Sequence, residues 1–402
     1  MAPRPYRRVT LKVGWFSCAQ RASANTGLVR MVERGPNVIL GQGDNIYVAD
    51  FAAALFGSTT TAAAYNTSVA NIYAHYTQAF NSPGYLAIQA WRASSSSNKY
   101  YYMLDDHEFG GDNWDWTITQ AQSQNPIGGT NAGVPFQSEV DAHGWNCIQA
   151  FQQAIAAYAD NPTNTDSGVA AQRPSGNAGV VVTTAASQFP PLYFRSGHYF
   201  NGTAAPAGSS GNVEIFTLCN LVHRSPIADA DNGTKTMLGT TQLAWLEARL
   251  SASSATWKVI NTSKKTYKSS SGDNGDTWGQ YTNERNAILD YIAANNIKGV
   301  VWLTGDKHVP HVISLATSRG DAYDHVCIEA SPIGVPCNTA LSGTMNGITW
   351  QGARRNYGWA EFSATEAKFY HYAVEDDFEM WRGRMAVNTN YLATPTSSLR
   401  VG

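Results

Sequence analysis

The sequence predicts an α/β (α+β) protein, built as a sandwich of mixed β-sheets flanked by helices. Three observations support this fold class. Strand-like apolar runs alternate with helix-compatible stretches along most of the 402 residues, which favours parallel strands joined by helices. Nearer the C-terminus, strand-like segments follow one another directly, which favours antiparallel hairpins. No repeat of solenoid period interrupts this order.

The chain opens with a predicted β-α-β unit. Its strands are the apolar segments 12–17 and 37–41, and the helix-compatible stretch 27–33 lies between them. Tyrosines and small apolar residues at helical spacing predict helices within residues 60–89, packed on the sheet. A short strand is then predicted at residues 100–104.

Residues 110–191 form a region dominated by Gly, Asn, Gln, Thr and Ser, with one clear helix signal at residues 139–158. Loops of this length in a compact enzyme are usually lids or binding loops, so we predict an insertion around the functional site. We expect the insertion to belong to a single catalytic domain that spans residues 9–395.

Regular elements return after residue 192. Further helices are predicted at residues 241–250 and 283–295. Residues 300–304 are almost continuously apolar, as expected of a strand buried on both faces. The remaining strands are predicted at 193–200, 213–218 and 258–261, and as later antiparallel strands at 312–315, 325–330, 359–363 and 367–374.

Composition excludes a disordered chain, because 43% hydrophobic and 11% aromatic residues are ample for a packed core. Charged residues are only 14%, below the usual quarter or so, which favours an extracellular, periplasmic or virion-associated protein. With 28 basic and 30 acidic side chains, no general field attracts nucleic acid or an anionic membrane. We therefore expect no specific nucleic-acid binding.

The N-terminal residues 1–8 are basic, and the segment after them alternates like a strand, so we predict no signal peptide in this chain. No stretch approaches the ~20 apolar residues of a membrane helix. The five cysteines are an odd number without CxxC spacing, which argues against a disulfide framework or a zinc knot.

Three segments that follow strand-like runs end in metal-binding side chains. They are Gly43-Asp44-Asn45-Ile46-Tyr47, Asp105-Asp106-His107-Glu108 and Gly305-Asp306-Lys307-His308. Taken singly, each has an ordinary interpretation as a turn, a solvated acidic loop or a chance Asp-x-His. Strand ends converge at one sheet edge after folding, so the three together predict the site of a two-metal hydrolase.

The side chains in these segments suit cations. The carboxylate of Asp44 can bridge two ions, and the phenolate of Tyr47 on the same turn can close on one of them. Asp106 and its neighbour Asp105 repel each other unless a cation or several donors stabilise them. An oxygen from Asp112 or Asn113 could complete such a site.

Two further residues fit the same chemistry. His308 points the same way as Asp306 on an extended segment, so both can reach one metal pair. Cys18 ends the first strand beside the Asp44 strand; a buried cysteine is usually a small apolar side chain, but here a thiolate ligand is also plausible.

Five separated blocks carry a family resemblance. They are Phe16-Ser17-Cys18, Gly43 to Tyr47, Asp105 to Glu108 with Asp112-Asn113-Trp114, Gln242 to Leu246 with Ala255 to Lys258, and Leu303 to His308. In this order they resemble the alkaline phosphatase D (PhoD-like) family of the calcineurin-like metallophosphoesterase superfamily. The resemblance implies a four-layer αββα sandwich of two mixed β-sheets with metals at the strand ends.

The resemblance also implies a dinuclear or trinuclear metal site, with Fe(3+) and Ca(2+) and with other divalent metals as alternatives. The first ion would take Cys18, Asp44, Tyr47 and His308. The second would share Asp44 and add Asp106, Asp306 and either Asp112 or Asn113. By analogy with the wider superfamily, His107 would face the substrate as a general acid or as a stabiliser of transition-state charge.

A protein of this family would hydrolyse small-molecule or polymeric phosphate esters, as a phosphomonoesterase or a phosphodiesterase. Hydroxide held between two cations is a nucleophile at neutral pH, and the cations neutralise the phosphoryl oxygens. Phosphate esters hydrolyse very slowly in water, so this electrostatic stabilisation is the main demand on the site.

The sequence departs from the family pattern around Cys219 to Arg224, where the family reads Asp-x-Arg-Ser-x-Arg. Of these motif residues, Arg224 alone remains to bind a phosphate through two hydrogen bonds. The family's Trp-Asp-Gly-Tyr-like stretch appears as Trp278-Gly279-Gln280-Tyr281, without its carboxylate. A diester carries less charge than a monoester, so these losses favour phosphodiesterase activity. The alternative is a non-catalytic binding or virion structural protein that retains the phosphatase fold.

Overall fold

The computed structural model describes residues 9–19, 24–47, 68–109, 137–166, 191–267, 276–314, 325–338, 348–389 and 392–393. Six α-helices lie within these ranges, with two short 3-10 helices at Asp106–Glu108 and Trp278–Gln280. The α-helices are α1 (Asn25–Glu33), α2 (Val69–Phe80), α3 (Pro83–Ser94), α4 (Gln137–Tyr158), α5 (Gly239–Ala252) and α6 (Thr282–Ala294).

The described residues also include fourteen strands. In chain order these are β1 (Leu11–Phe16), β2 (Val38–Gln42), β3 (Lys99–Met103), β4 (Phe194–His198), β5 (Val213–Thr217), β6 (Trp257–Asn261), β7 (Val300–Thr304), β8 (His311–Ser314), β9 (Val326–Glu329), β10 (Ile348–Gln351), β11 (Asn356–Phe362), β12 (Glu366–Ala373), β13 (Glu379–Ala386) and β14 (Leu392–Ala393).

The strands form two mixed sheets of seven. The first has the order β14-β13-β12-β11-β1-β2-β3, in which β1, β2 and β3 run parallel and the remaining neighbours pair antiparallel. The second has the order β10-β8-β9-β7-β6-β5-β4, in which β5, β6, β7 and β9 run parallel. The predicted α/β class with mixed sheets is confirmed.

The two sheets pack face to face around one apolar cluster. Trp15 of β1 and Leu40 of β2 contribute to it from the first sheet, and Val259 of β6 and Leu303 of β7 contribute from the second. Side chains alternate along a strand, so the neighbouring positions face the helices instead. The sheet core thus fixes the relative position of β1, β2, β6 and β7, whose carboxyl ends carry the candidate site.

Helices cover the outer face of each sheet. On the first sheet, the ring of Phe80 from α2 meets Tyr102 of β3, with centroids 5.6 Å apart. On the second, Trp245 of α5 meets Phe216 of β5 at 6.2 Å. The layers therefore run helix, sheet, sheet, helix, which is the predicted αββα arrangement. Because both faces of β7 are covered, all five of its residues are buried, as its apolar sequence predicts.

The structure corrects one strand prediction and adds others. β9 pairs antiparallel with β8, as expected, but it also pairs parallel with β7, where Leu303 lies opposite Ile328. β8 is the strand that reverses direction, and β9 then returns beside β7. β10, β13 and β14 were not predicted from the sequence. In β13, half-buried and exposed side chains alternate with buried ones, so its apolar signal is weak.

Direct hydrogen bonds join the two sheets at the carboxyl ends of their parallel strands. The amide of Gln42, the last residue of β2, donates to Asn261 Oδ1 at the end of β6 at 2.8 Å. The backbone N–H of Asp306, beyond β7, donates to Ser17 Oγ, beyond β1, at 3.0 Å. These contacts bring strand ends from different sheets to one place.

All five cysteines are free thiols. Among the described helices, none has the length and apolar character required to span a lipid bilayer.

Candidate metal centre

Gly43 allows the turns after β2 and β3 to touch. Its φ is +86°, a conformation that favours glycine, and a Cβ on it would lie 2.4 Å from the Cβ of Asp105. Without a side chain at this position, the backbone of the β2 turn approaches the β3 turn closely. The carboxylate of Asp44 consequently lies against the acidic segment that begins at Asp105.

Four strand-end residues with metal-binding side chains share an uncommon backbone conformation. The φ angles of Cys18, Asp44, Asp306 and His308 are 55°, 54°, 84° and 57°. Residues other than glycine rarely adopt positive φ, and such strain concentrates at functional sites where the surrounding structure enforces it. Here backbone bonds enforce it: Ala19 N–H donates to the carbonyl of Asp44 at 2.9 Å.

The predicted ligands meet in three overlapping groups whose ligand atoms lie within 4.8 Å of one another. The groups are Cys18, Asp44 and His308; Asp44, Asp106 and His107; and Asp44, Asp105, Asp106 and Asp306. Asp44 belongs to all three, and its Oδ2 accepts from Cys18 Sγ at 3.3 Å. The thiol, carboxylate and imidazole donors predicted from separate strand ends therefore lie around one carboxylate.

Tyr47 lies beside this group. Its ring packs against Cys18 and stacks on His107 with centroids 4.1 Å apart. Its hydroxyl oxygen is buried and has no hydrogen-bond partner of good geometry among the described residues. Such an orphaned polar atom is unfavourable unless a ligand satisfies it. Asp112 and Asn113, the other predicted oxygen ligands, lie outside the described residues.

His107 is the most accessible of the functional side chains on the β3 turn, since it is half-buried while Asp106 and Glu108 are buried. Its backbone N–H donates to Asp44 Oδ1 at 3.3 Å and to Asp106 Oδ1 at 3.0 Å. These bonds and the Tyr47 ring fix the imidazole at the edge of the cluster. It could ligate an ion or face a substrate from this position.

Glu108 supports the site without belonging to the ligand groups. Its carboxylate accepts the backbone N–H groups of Asp44 at 2.9 Å, Asn45 at 2.7 Å and Asp105 at 2.7 Å, and the hydroxyl of Tyr102 at 2.9 Å. One buried carboxylate thereby joins the β2 and β3 turns. The Asp-x-x-Glu spacing of Asp105 and Glu108 is a capping-box signal from which this role could have been inferred.

Lys264 was not among the predicted site residues. It follows β6, and its buried ammonium lies 2.6 Å from Asp105 Oδ1, 2.6 Å from Asp276 Oδ2 and 3.3 Å from Asp306 Oδ1. A lysine just beyond a buried strand, in the position where the other strands carry aspartates, was the available signal. Asp276, which follows a Gly/Ser/Asp-rich stretch of the sequence, was likewise not predicted.

Arg224 lies in the same buried network. Its Nη1 donates to Asp276 Oδ2 at 2.8 Å, the oxygen that also contacts Lys264. Any phosphate would have to compete with Asp276 for this guanidinium. The segment that carries Arg224 is held by Gln242 of α5, whose amide accepts from the N–H of Cys219 at 2.8 Å and donates to its carbonyl at 2.9 Å.

The electrostatics of the cluster call for a cation. Burial, followed by the charges of Asp106 and Asp105, holds the pKa of Asp44 well above its usual range. Burial likewise raises the pKa of Asp306 to about 6, and burial with the nearby Asp44 raises the pKa of the Cys18 thiol. A bound cation would favour the charged form of each group.

The donor set fits a metal centre. Buried carboxylates with raised pKa values, a thiol, an imidazole and an orphaned phenol oxygen converge within a few ångströms. Carboxylate oxygens suit hard divalent cations, whereas a thiolate and a phenolate suit a softer or trivalent ion.

Known proteins resemble this chain in sequence and in fold. The family model described as PhoD-like phosphatase matches residues 212–356. Among curated proteins, alkaline phosphatase D of Bacillus subtilis (strain 168) is 30% identical over 92 residues, which are 21% of this chain and 16% of that protein. The alignment thus spans about a sixth of the relative's length.

Solved structures extend the likeness in fold. The structure of PhoD superposes with a TM-score of 0.68 at 16% identity, covering 100% of this chain and 74% of that one. The purple acid phosphatase PPD1 from yellow lupin (Lupinus luteus) seeds gives a TM-score of 0.54 at 10% identity, covering 96% of this chain and 55% of that one. The chain thus resembles PhoD-like phosphatases in sequence over residues 212–356, and its fold is similar to those of PhoD and the plant purple acid phosphatase.

Proposed function

We propose that this protein is a metal-dependent hydrolase of phosphate esters whose metal centre is built around Asp44. The main support for this proposal is that Asp44 belongs to all three groups of potential ligands. A carboxylate shared in this way can bridge two ions. The relationship to PhoD-like phosphatases supports phosphate esters as the substrate class. The low charge of the chain favours an extracellular or otherwise exposed substrate.

The donor chemistry suggests how two ions would be held. Cys18, Tyr47 and His308, with Asp44, would bind a ferric ion, because thiolate and phenolate donors stabilise trivalent charge. Asp44 would also help to hold a calcium ion, together with the carboxylates of Asp106 and Asp306. Asp112 or Asn113 would complete that ion's oxygen shell. Cations at this centre would lower the pKa of water and stabilise negative charge on the phosphoryl oxygens.

His107 is the proposed acid in this reaction. Its half-buried imidazole is fixed by the Tyr47 ring and by its own backbone bonds to two carboxylates, so it requires little reorganisation to meet a substrate. A proton on this ring could pass to the leaving oxygen, and a protonated ring would stabilise its developing charge. Lys307, 3.9 Å from Asp306 and partly exposed, adds positive charge at the same edge.

A diester is the preferred substrate class in this proposal. Arg224, the remaining arginine of the family motif, is engaged by Asp276, and Cys219 and Leu221 stand where the family carries Asp and Arg. A dianionic monoester relies more on such cations than a monoanionic diester does. Reduced positive charge therefore disfavours the monoester selectively.

Turnover assays test the activity. The native protein should hydrolyse bis-nitrophenyl phosphate faster than nitrophenyl phosphate, and Asp44→Asn should lower either rate by at least about 100-fold, the scale of losing one group that stabilises transition-state charge. The matched control is Asp290→Asn, at an exposed aspartate on α6. Folding of both variants is checked by circular dichroism.

A folded Asp44→Asn variant with native turnover would refute the site. Clear preference for the monoester would remove the diester assignment alone. Native protein that binds no metal and hydrolyses neither ester would favour the non-catalytic binding or virion structural alternative.

Colour tests the identity of the first ion. A phenolate and a thiolate on ferric iron give a visible charge-transfer band, so we expect purified or iron-loaded protein to be coloured. Tyr47→Phe should weaken or shift the band, whereas Tyr291→Phe, on α6 away from the cluster, should leave it unchanged. Colourless protein that contains another transition metal by elemental analysis would contradict the ferric assignment.

Metal removal should destabilise the protein in a pH-dependent way. The raised pKa of Asp306, about 6 against 3.8 for an ordinary aspartate, means that the folded state retains a proton the unfolded chain releases. The proton retained by Asp306 therefore contributes stability to the folded state below about pH 4, and that contribution is lost as the pH rises through about 6. In chelated protein, uncompensated carboxylates should therefore lower the melting temperature more at alkaline than at acidic pH.

The measurement is differential scanning calorimetry with and without EDTA at about pH 5 and about pH 8. We expect the EDTA-induced fall in Tm to be larger at the higher pH and to shrink in Asp306→Asn. An equal fall at both pH values, or none, would contradict the assignment of these carboxylates to a metal centre.

A further inference from the structure

Lys264 places a permanent positive charge inside the candidate metal centre. Its side chain is buried and follows β6, at the same edge as the other strand ends. Its ammonium contacts four carboxylates, with Nζ to oxygen distances of 2.6 Å to Asp105, 2.6 Å to Asp276, 3.3 Å to Asp306 and 3.5 Å to Asp106.

The ammonium occupies one particular group of potential ligands. Among the described residues, one group of potential ligands consists only of carboxylates: Asp44, Asp105, Asp106 and Asp306. The ammonium contacts all of these except Asp44. A calcium ion takes its oxygen ligands at about 2.3–2.6 Å, and Asp105 Oδ1 already lies 2.6 Å from the ammonium. A metal ion in place of the ammonium would need the carboxylate oxygens that the positively charged Lys264 already contacts.

Other contacts hold the ammonium in place. Asp276, which belongs to none of the three ligand groups, contacts Lys264 from outside the cluster and also accepts from Arg224 at 2.8 Å. Lys264 is thus fixed between Asp276 on one side and Asp105 on the other. The ammonium is the counter-charge that contacts the buried Asp105 carboxylate among the described residues, at 2.6 Å.

We propose that Lys264 is a built-in cation that replaces a third metal ion, so that the native protein binds two ions and no more. One would be held by Cys18, Asp44, Tyr47 and His308. The other would be held by Asp44, Asp106 and Asp306, whose Oδ1 contacts Lys264 while its Oδ2 has no hydrogen-bond partner among the described residues. The proposal rests on the proposed metal centre and deepens it, because the family resemblance leaves a dinuclear and a trinuclear site open. Lys264 selects the dinuclear form.

The test is the number of ions bound per chain. Protein saturated with iron and calcium is passed through a desalting column and analysed by mass spectrometry of the elements. Native protein should retain two ions, and Lys264→Met should retain three, because the vacated carboxylates gain both space and net negative charge. Lys265→Met is the matched control: Lys265 is also buried, but its ammonium lies over the Tyr267 ring at 4.7 Å, and two ions are expected.

Thermal unfolding provides a second readout that does not depend on turnover. Removing the ammonium leaves neighbouring carboxylates without their counter-charge, so Lys264→Met should melt below the native protein when calcium is absent. Added calcium should restore much of that loss. The same addition, made to native protein that already holds two ions, should change Tm little.

A double variant preserves the test if Lys264→Met fails to fold. Lys264→Met with Asp276→Asn removes one charge of each sign and leaves all four members of the all-carboxylate group intact, so three ions are again expected. Three ions in native protein, or two in the folded variants, would overturn the role of Lys264. Native protein that retains no ion would instead refute the proposed metal centre, and this inference with it.

Discussion

Mutual repulsion among buried carboxylates is the constraint on which the rest of this structure depends. Asp44, Asp105, Asp106 and Asp306 lie in one pocket with almost no access to water, where each raises the free energy of the others' charged forms. The fold tolerates this through two compensations of different kinds. Glu108 fixes the turns by accepting backbone N–H groups, and Lys264 supplies a counter-charge. Bound metal ions, which suit these donor atoms, would stabilise the charged carboxylates further.

The two-sheet architecture makes such a pocket available. The carboxyl ends of β1, β2 and β3 in one sheet and of β6 and β7 in the other meet at the same place, held by hydrogen bonds between Gln42 and Asn261 and between Asp306 and Ser17. Residues with left-handed backbone follow β1, β2 and β7, namely Cys18, Asp44, Asp306 and His308. A single sheet could present some of these ligands at its edge. Here the thiol of Cys18 comes from the first sheet, and carboxylates and imidazoles come from both.

Sequence reasoning located the strand ends well because buried strands have a strong apolar signal and the polar residue after each one stands out. Cys18, Asp44, Asp106, Asp306 and His308 were all identified in this way, and the structure brings them together. Lys264 and Arg224 were harder. Their partners lie far away in sequence, so no local pattern shows that one ammonium serves four carboxylates or that Asp276 engages the arginine expected to bind phosphate. The parallel pairing of β9 depends in the same way on a crossover that local periodicity does not encode.

The most direct test of the metal centre is anomalous diffraction from crystals of metal-loaded protein, recorded on either side of the iron absorption edge. We expect a strong anomalous peak within bonding distance of Cys18 Sγ and Asp44, a second ion that shares Asp44 and contacts Asp106, and the ammonium of Lys264 in the all-carboxylate group. Fully loaded protein with its ions bound elsewhere, and with these side chains arranged without a cation, would contradict it.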